Sequence, residues 1–117
     1  MNQINNHGTS LPHHRLLAYK KSLELLAAVR SAQIRDAKLR DEALRAAKGT
    51  CLNIAEGAGR VSRGDKARAY AIARGECVEA VADTEIAGEA GDAVASAVAV
   101  VAALGNEVYL MLGGLIR

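Results

Sequence analysis

Apolar residues recur along most of this chain at spacings of three and four, and nowhere do they alternate over a strand-length run. Leu16, Tyr19, Leu23 and Leu26 form a first seam. Continued in the same frame, it meets Arg30, Gln33, Ala37 and Arg40, then turns apolar again through Leu44, Ala47, Cys51, Ile54 and Ala58. One continuous helix would leave the polar stretch nothing to bury, so the pattern predicts two helices with a break between Ser31 and Asp36. Gly57, Gly59 and Gly64, with Ser62 and Asp65 as candidate caps, predict a tight connection to a third helix. That helix shows Tyr70, Ala73, Cys77, Ala80, Thr84 and Ala87 on one face and is expected to end at Gly88 and Gly91. Asp92 reads as the N-cap of a fourth helix with an unbroken seam of Val94, Val98, Val101, Gly105, Val108, Leu112 and Leu115. Pro12 suits a first helical turn, and no proline follows it.

The expected fold is therefore all-α. Short connections make successive helices antiparallel neighbours, so the simplest architecture is an up-down-up-down four-helix bundle over residues 15–117. Residues 1–14, polar and rich in Asn and His, are expected to be a flexible segment ahead of it. Composition agrees: half the residues are hydrophobic but only Tyr19, Tyr70 and Tyr109 are aromatic, leaving Ala, Leu and Val to pack helices closely. Two cysteines are too few for a disulfide framework and no signal peptide is evident, which gives a reducing cytoplasm as the expected location.

The last helix changes the picture. From Ala93 to Ile116 its only charged residue is Glu107, and the segment is long enough to cross a bilayer. Asn106 and Glu107 at its middle, Gly113 and Gly114, and the absence of a Trp or basic frame argue against a span. One bundle covers only part of such a helix, so the remainder is expected to meet a second copy, with Val100 among the outward positions. The expected state is a homo-oligomer with no membrane partner.

Charge adds a direction. Up to Arg68 the chain has 13 Lys/Arg and 6 Asp/Glu; from Ala69 it has 2 and 7. In the expected topology Arg15, Lys20, Lys21, Arg60, Arg63, Lys66, Arg68 and Arg117 collect at one end, and Asp83, Glu85, Glu89 and Asp92 at the other. A basic end points to the phosphates of RNA or DNA. Tyr19 and Tyr70 sit on seams, so stacking on bases is not expected. Catalytic chemistry finds no foothold. The glycines of Asn53–Arg60 follow a helix rather than a strand, with no Gly-Lys-Ser/Thr element, so they are not a phosphate loop. The histidines, His7, His13 and His14, all precede the bundle, so no Glu-x-x-His metal pair exists. Cys51 and Cys77 fall at similar heights on paired helices and read as buried small hydrophobes, with a redox pair as the alternative. No catalytic residue, metal or cofactor is expected. The competing reading of the whole chain is a protein-interaction scaffold without nucleic-acid binding.

Arg45–Arg60, reading RAAKGTCLNIAEGAGR, resembles a signature of the four-helix bundle proteins encoded within intervening sequences of 23S ribosomal RNA genes. Ala71–Ala80, AIARGECVEA, resembles that family's second motif, usually IARGS followed by an apolar residue and Glu. The match spans about residues 15–117. Departures are Cys51 where Pro is frequent, Gly49 for the usual Ser and Tyr70 for Phe. The family is similar to the accessory variability protein of diversity-generating retroelements. The resemblance implies a pentameric, non-enzymatic accessory protein whose basic surface contacts nucleic acid and a reverse transcriptase or other protein. The motif residues Asn53, Glu56, Gly57, Gly59, Arg60, Arg74, Gly75 and Glu79 have two readings. In one they specify hairpin packing and the subunit contact, with Glu56 pairing Arg74 or Arg60 and Gly75 allowing close helix approach. In the other they touch a ligand directly.

Overall fold

The break expected after the first seam has a local cause. The first α-helix, α1 (Leu17–Ser31), is followed by Ala32 and then Gln33 at φ 48, a left-handed conformation that no straight helix passes through. Ile34, 1% exposed, then drops into the core, and Asp36 restarts the chain by accepting the Leu39 N–H at 2.9 Å. In this computed structural model, which describes residues 10–117, the remaining helices are α2 (Ala37–Gly59), α3 (Arg63–Glu89) and α4 (Ala95–Ile116). A short 3-10 helix, Pro12–Arg15, precedes α1 and packs on α2. The remainder of the expected N-terminal segment, including His7, lies outside the described residues. Among those described there is no strand.

Each helix packs on the next and α4 returns to α1, the neighbour relations of the expected bundle. Cross-contacts fix the directions. Arg63 at the start of α3 donates to the Arg117 carbonyl just past the end of α4, and Lys21 early in α1 meets Glu107 in the second half of α4. The core is Leu25, Ile54, Val101, Val108 and Leu112 with a thick lining of alanines, Ala43, Ala46, Ala47, Ala73, Ala80 and Ala87. The α2–α3 approach is close because Gly57 lies against Tyr70, where an added Cβ would sit 2.6 Å from the ring.

Several expectations are corrected. Gly57 and Gly59 lie inside α2 and Gly64 inside α3, so the connection is only residues 60–62; Ser62 caps α3 by accepting the Asp65 N–H at 3.1 Å. Asp92 does not cap α4: its own N–H closes α3 on the Ala87 carbonyl at 2.7 Å, after Gly91 at φ 84, and Val94 holds the N-cap position. On α1 the buried face is Ala18, Ser22, Leu25 and Val29, with Leu23 44% exposed. Leu16, Tyr19 and Leu26 flank that face half-buried. So many leucines ring this helix that period alone does not choose the phase; the small residues win because they let α2 approach.

Candidate nucleic-acid interface

The hairpin connectivity does bring the sequence-predicted cations to one end, but the structure divides them. Lys21 is paired with Glu107 at 3.1 Å and Glu24 at 3.6 Å, and these carboxylates raise its pKa. Lys66 donates to the Ala58 and Gly57 carbonyls at 2.9 and 3.4 Å, closing the C-terminus of α2. Arg63 donates to the Arg117 carbonyl at 2.6 Å. Arg15, Lys20, Arg60 and Arg68 remain exposed, with side chains in no hydrogen bond or ion pair among the described residues. Arg60 and Arg68 flank a pocket of about 140 Å³ that Asn53, Glu56 and Asp65 also line. Two carboxylates beside two guanidiniums do not make a closed phosphate cradle; the arginines are suited to meet a polyanion at the rim.

Three of the signature residues, Asn53, Gly57 and Glu79, lie along the α2–α3 contact. Asn53 donates from one amide nitrogen to Glu76 at 2.7 Å and to the Gly49 carbonyl at 3.0 Å, and Arg45 reaches Glu79 at 3.1 Å. Gly49 leaves the space that the Glu76 carboxylate occupies. The expected Glu56–Arg74 pairing is not formed. Arg74 instead lies over the Tyr109 ring of α4, 5.3 Å from its centroid, while Glu56 is exposed. Gly75 is corrected too: it is exposed, and a Cβ there meets nothing within 4 Å, as at Gly59. Sequence reasoning missed Glu76, whose signal was its position one turn before the predicted Glu79–Ala80 step, opposite the small Gly49.

The thiols point apart. Cys51 donates to the Ser22 carbonyl of α1 at 3.2 Å and Cys77 to the Gly105 carbonyl of α4 at 3.3 Å; both are buried and free, which removes the redox-pair alternative. Burial pushes the Cys77 thiol up to about 11 and raises Cys51 as well, the Ser22 bond opposing. Asp83 is the one buried carboxylate with an oxygen lacking a partner; burial raises its pKa, then the nearby Glu42 and Glu79, with Arg45 opposing. No group of three or more His, Cys, Asp or Glu side chains among the described residues is placed to hold a metal ion.

Two apolar surfaces remain. Between α3 and α4 a groove of about 290 Å³ is lined by Val78, Val81, Ala82, Ala102, Gly105 and Tyr109 among others. On the opposite edge, between α1 and α2, Tyr19, Leu26, Leu52 and Ala55 line another of about 450 Å³. α4 itself is apolar enough to cross a membrane, with a mean hydropathy of 1.7, yet only 22% of that window is buried.

Comparison with known proteins adds one finding. The family model of the 23S rRNA-intervening sequence protein matches residues 14–114. No curated protein matches the chain.

Proposed function

The chain belongs to the 23S rRNA-intervening sequence protein family, and from that premise we propose that it is a non-enzymatic, homo-oligomeric accessory protein that binds the backbone of RNA or DNA. The observation that carries the reading is the group of four unpaired cations, Arg15, Lys20, Arg60 and Arg68, at one end of the bundle. Rigid helices hold them, and every further subunit presents the same four again. Contacts of this kind are to phosphates, since Tyr70 is buried, Tyr19 half-buried, and the exposed Tyr109 is covered by Arg74.

Assembly is supported by the two apolar grooves. They are unlike and lie on opposite edges, so one subunit's α3–α4 groove facing the next subunit's α1–α2 surface makes a heterologous contact, the kind from which closed rings are built. The small residues Ala71 and Gly75 on the exposed line of α3 allow a neighbouring backbone to come near. A pentamer is the ring size we propose, in a cytoplasmic setting, with a reverse transcriptase as a candidate protein partner.

Duplex RNA and duplex DNA binding measured against salt tests the reading. Log affinity should fall linearly with log salt, and Arg60→Glu/Arg68→Glu should weaken binding to all sequences alike while helicity and assembly persist. Absence of binding at about 50 mM salt, where phosphate contacts are strongest, would replace it with the scaffold reading.

A further inference from the structure

The end of the bundle away from the α2–α3 turn, expected to receive Asp83, Glu85, Glu89 and Asp92, also carries Arg30, Arg35, Lys38 and Arg40 around the α1–α2 connection. Arg30, Arg35 and Arg40 line one open depression of about 450 Å³, whose other lining residues are Val29, Gln33, Ile34 and Leu44. No carboxylate is among them. Two of the arginines are held in place by backbone. Arg35 donates from its guanidinium to the Gly91 carbonyl and from its N–H to the Asp92 carbonyl, the latter at 2.9 Å. Arg40 donates to the Ile34 carbonyl at 3.4 Å, with its Nε 3.9 Å from the exposed Asp41 carboxylate. Each keeps further N–H donors after these bonds, because a guanidinium has five. The Arg30 side chain is exposed and makes no hydrogen bond or ion pair among the described residues. Beneath them the chain is fixed by the buried Ile34 and the left-handed Gln33.

Lys38 and Arg40 occupy the first turn of α2, where the N-cap carboxylate of Asp36, accepting the Leu39 N–H at 2.9 Å, already faces the positive end of the helix dipole. Like charges on one apolar-floored depression concentrate a positive potential. An anion seated in the depression offsets the mutual repulsion of its three arginines.

We propose that the depression formed by Arg30, Arg35 and Arg40 is a second anion site that binds a phosphate group, separate from the basic end and standing whether or not that end binds nucleic acid. Arginines from α1, the connection and α2 line this one depression, and planar guanidiniums suit a doubly charged tetrahedral oxyanion better than a single carboxylate. The phosphate comes either from a free phosphate monoester or from a nucleic-acid backbone, and the experiment separates the two.

The full-length protein is titrated with inorganic phosphate at constant ionic strength, held with chloride, and followed by amide 1H–15N spectra. Saturable shifts are expected in residues 30–40 and at Gly91 and Asp92. Arg30→Gln removes a guanidinium with no internal contact and should weaken phosphate binding about tenfold, the worth of one charge-assisted hydrogen bond, with helicity and melting unchanged. Arg60→Glu/Arg68→Glu should leave the phosphate titration as it was. If that double variant still binds duplex RNA, and adding Arg30→Gln abolishes the residual binding, the site takes backbone phosphate; if inorganic phosphate saturates it and duplex RNA does not, it takes a free monoester. No saturable shift around residues 30–40, or equal phosphate affinity in Arg30→Gln and wild type, overturns the proposal.

Discussion

Asp83 sits where its ordinary ionised state is disfavoured. It is 8% exposed, one of its oxygens has no partner, and Glu42 and Glu79 stand near it. Its carboxyl pKa is raised in the folded chain, so the fold is favoured where the group is protonated, and that advantage is lost as pH rises through the folded pKa. Asp83→Asn should therefore stabilise the protein at neutral pH by about 1 kcal/mol, with no gain in acid, as urea titrations at the two pH values will read. Gln33 holds a left-handed backbone that disfavours any side chain. Gln33→Gly should add roughly 0.5–1 kcal/mol, whereas Gly91→Ala, at φ 84, should lose a similar amount. The thiols follow from the same logic of burial. A Cys77 pKa near 11 and two shielded sulfurs mean that labelling by a thiol reagent at pH 8 should track unfolding, and fast reaction of the native protein would contradict the packing.

Between elements, the α2–α3 contact shows which parts of a sequence signature hold structure. Asn53 and Glu76 bridge the helices at 2.7 Å in a half-buried position, while the Arg45–Glu79 pair is largely solvated. Asn53→Ala should cost about 1–2 kcal/mol, and Arg45→Ala under about 1 kcal/mol, because exposed ion pairs are screened. Gly57→Ala should cost about 1–3 kcal/mol, because its Cβ meets Tyr70 and a packed ring has little room to yield. Glu56, Gly59, Arg60 and Gly75 are exposed and outside that contact. They are the signature positions left for surface work, and substitutions there should change assembly or nucleic-acid binding before they change melting.

For the whole molecule the decisive feature is apolar surface that one bundle leaves open. Val78 and Val100 are each 51% exposed, Leu52 62% and Leu110 63%. Val78→Asp, in the α3–α4 groove, should release monomers of about 12.2 kDa in light scattering while circular dichroism stays helical. A wild type that scatters as a monomer would remove the assembly from the proposed function.

Seam periodicity alone determined much of this: four helices, the break before Asp36, the Ser62 cap, and the buried faces of α2 and α3 all follow from apolar spacing and local turn chemistry. These are short-range properties, carried by residues three or four apart. Where leucines surround a helix, as on α1, spacing is silent about phase, and only the neighbouring helix decided that Ala18 and Ser22 face inward. The charge pattern behaved the same way. Sequence placed Arg60 and Arg68 at one end correctly, yet it could not see that Lys21 and Arg63 are engaged by groups far along the chain, that Lys66 closes the end of α2, or that Arg30, Arg35 and Arg40 share one depression. Such partnerships are set by which helix ends meet, a property of the packed bundle rather than of any stretch of residues.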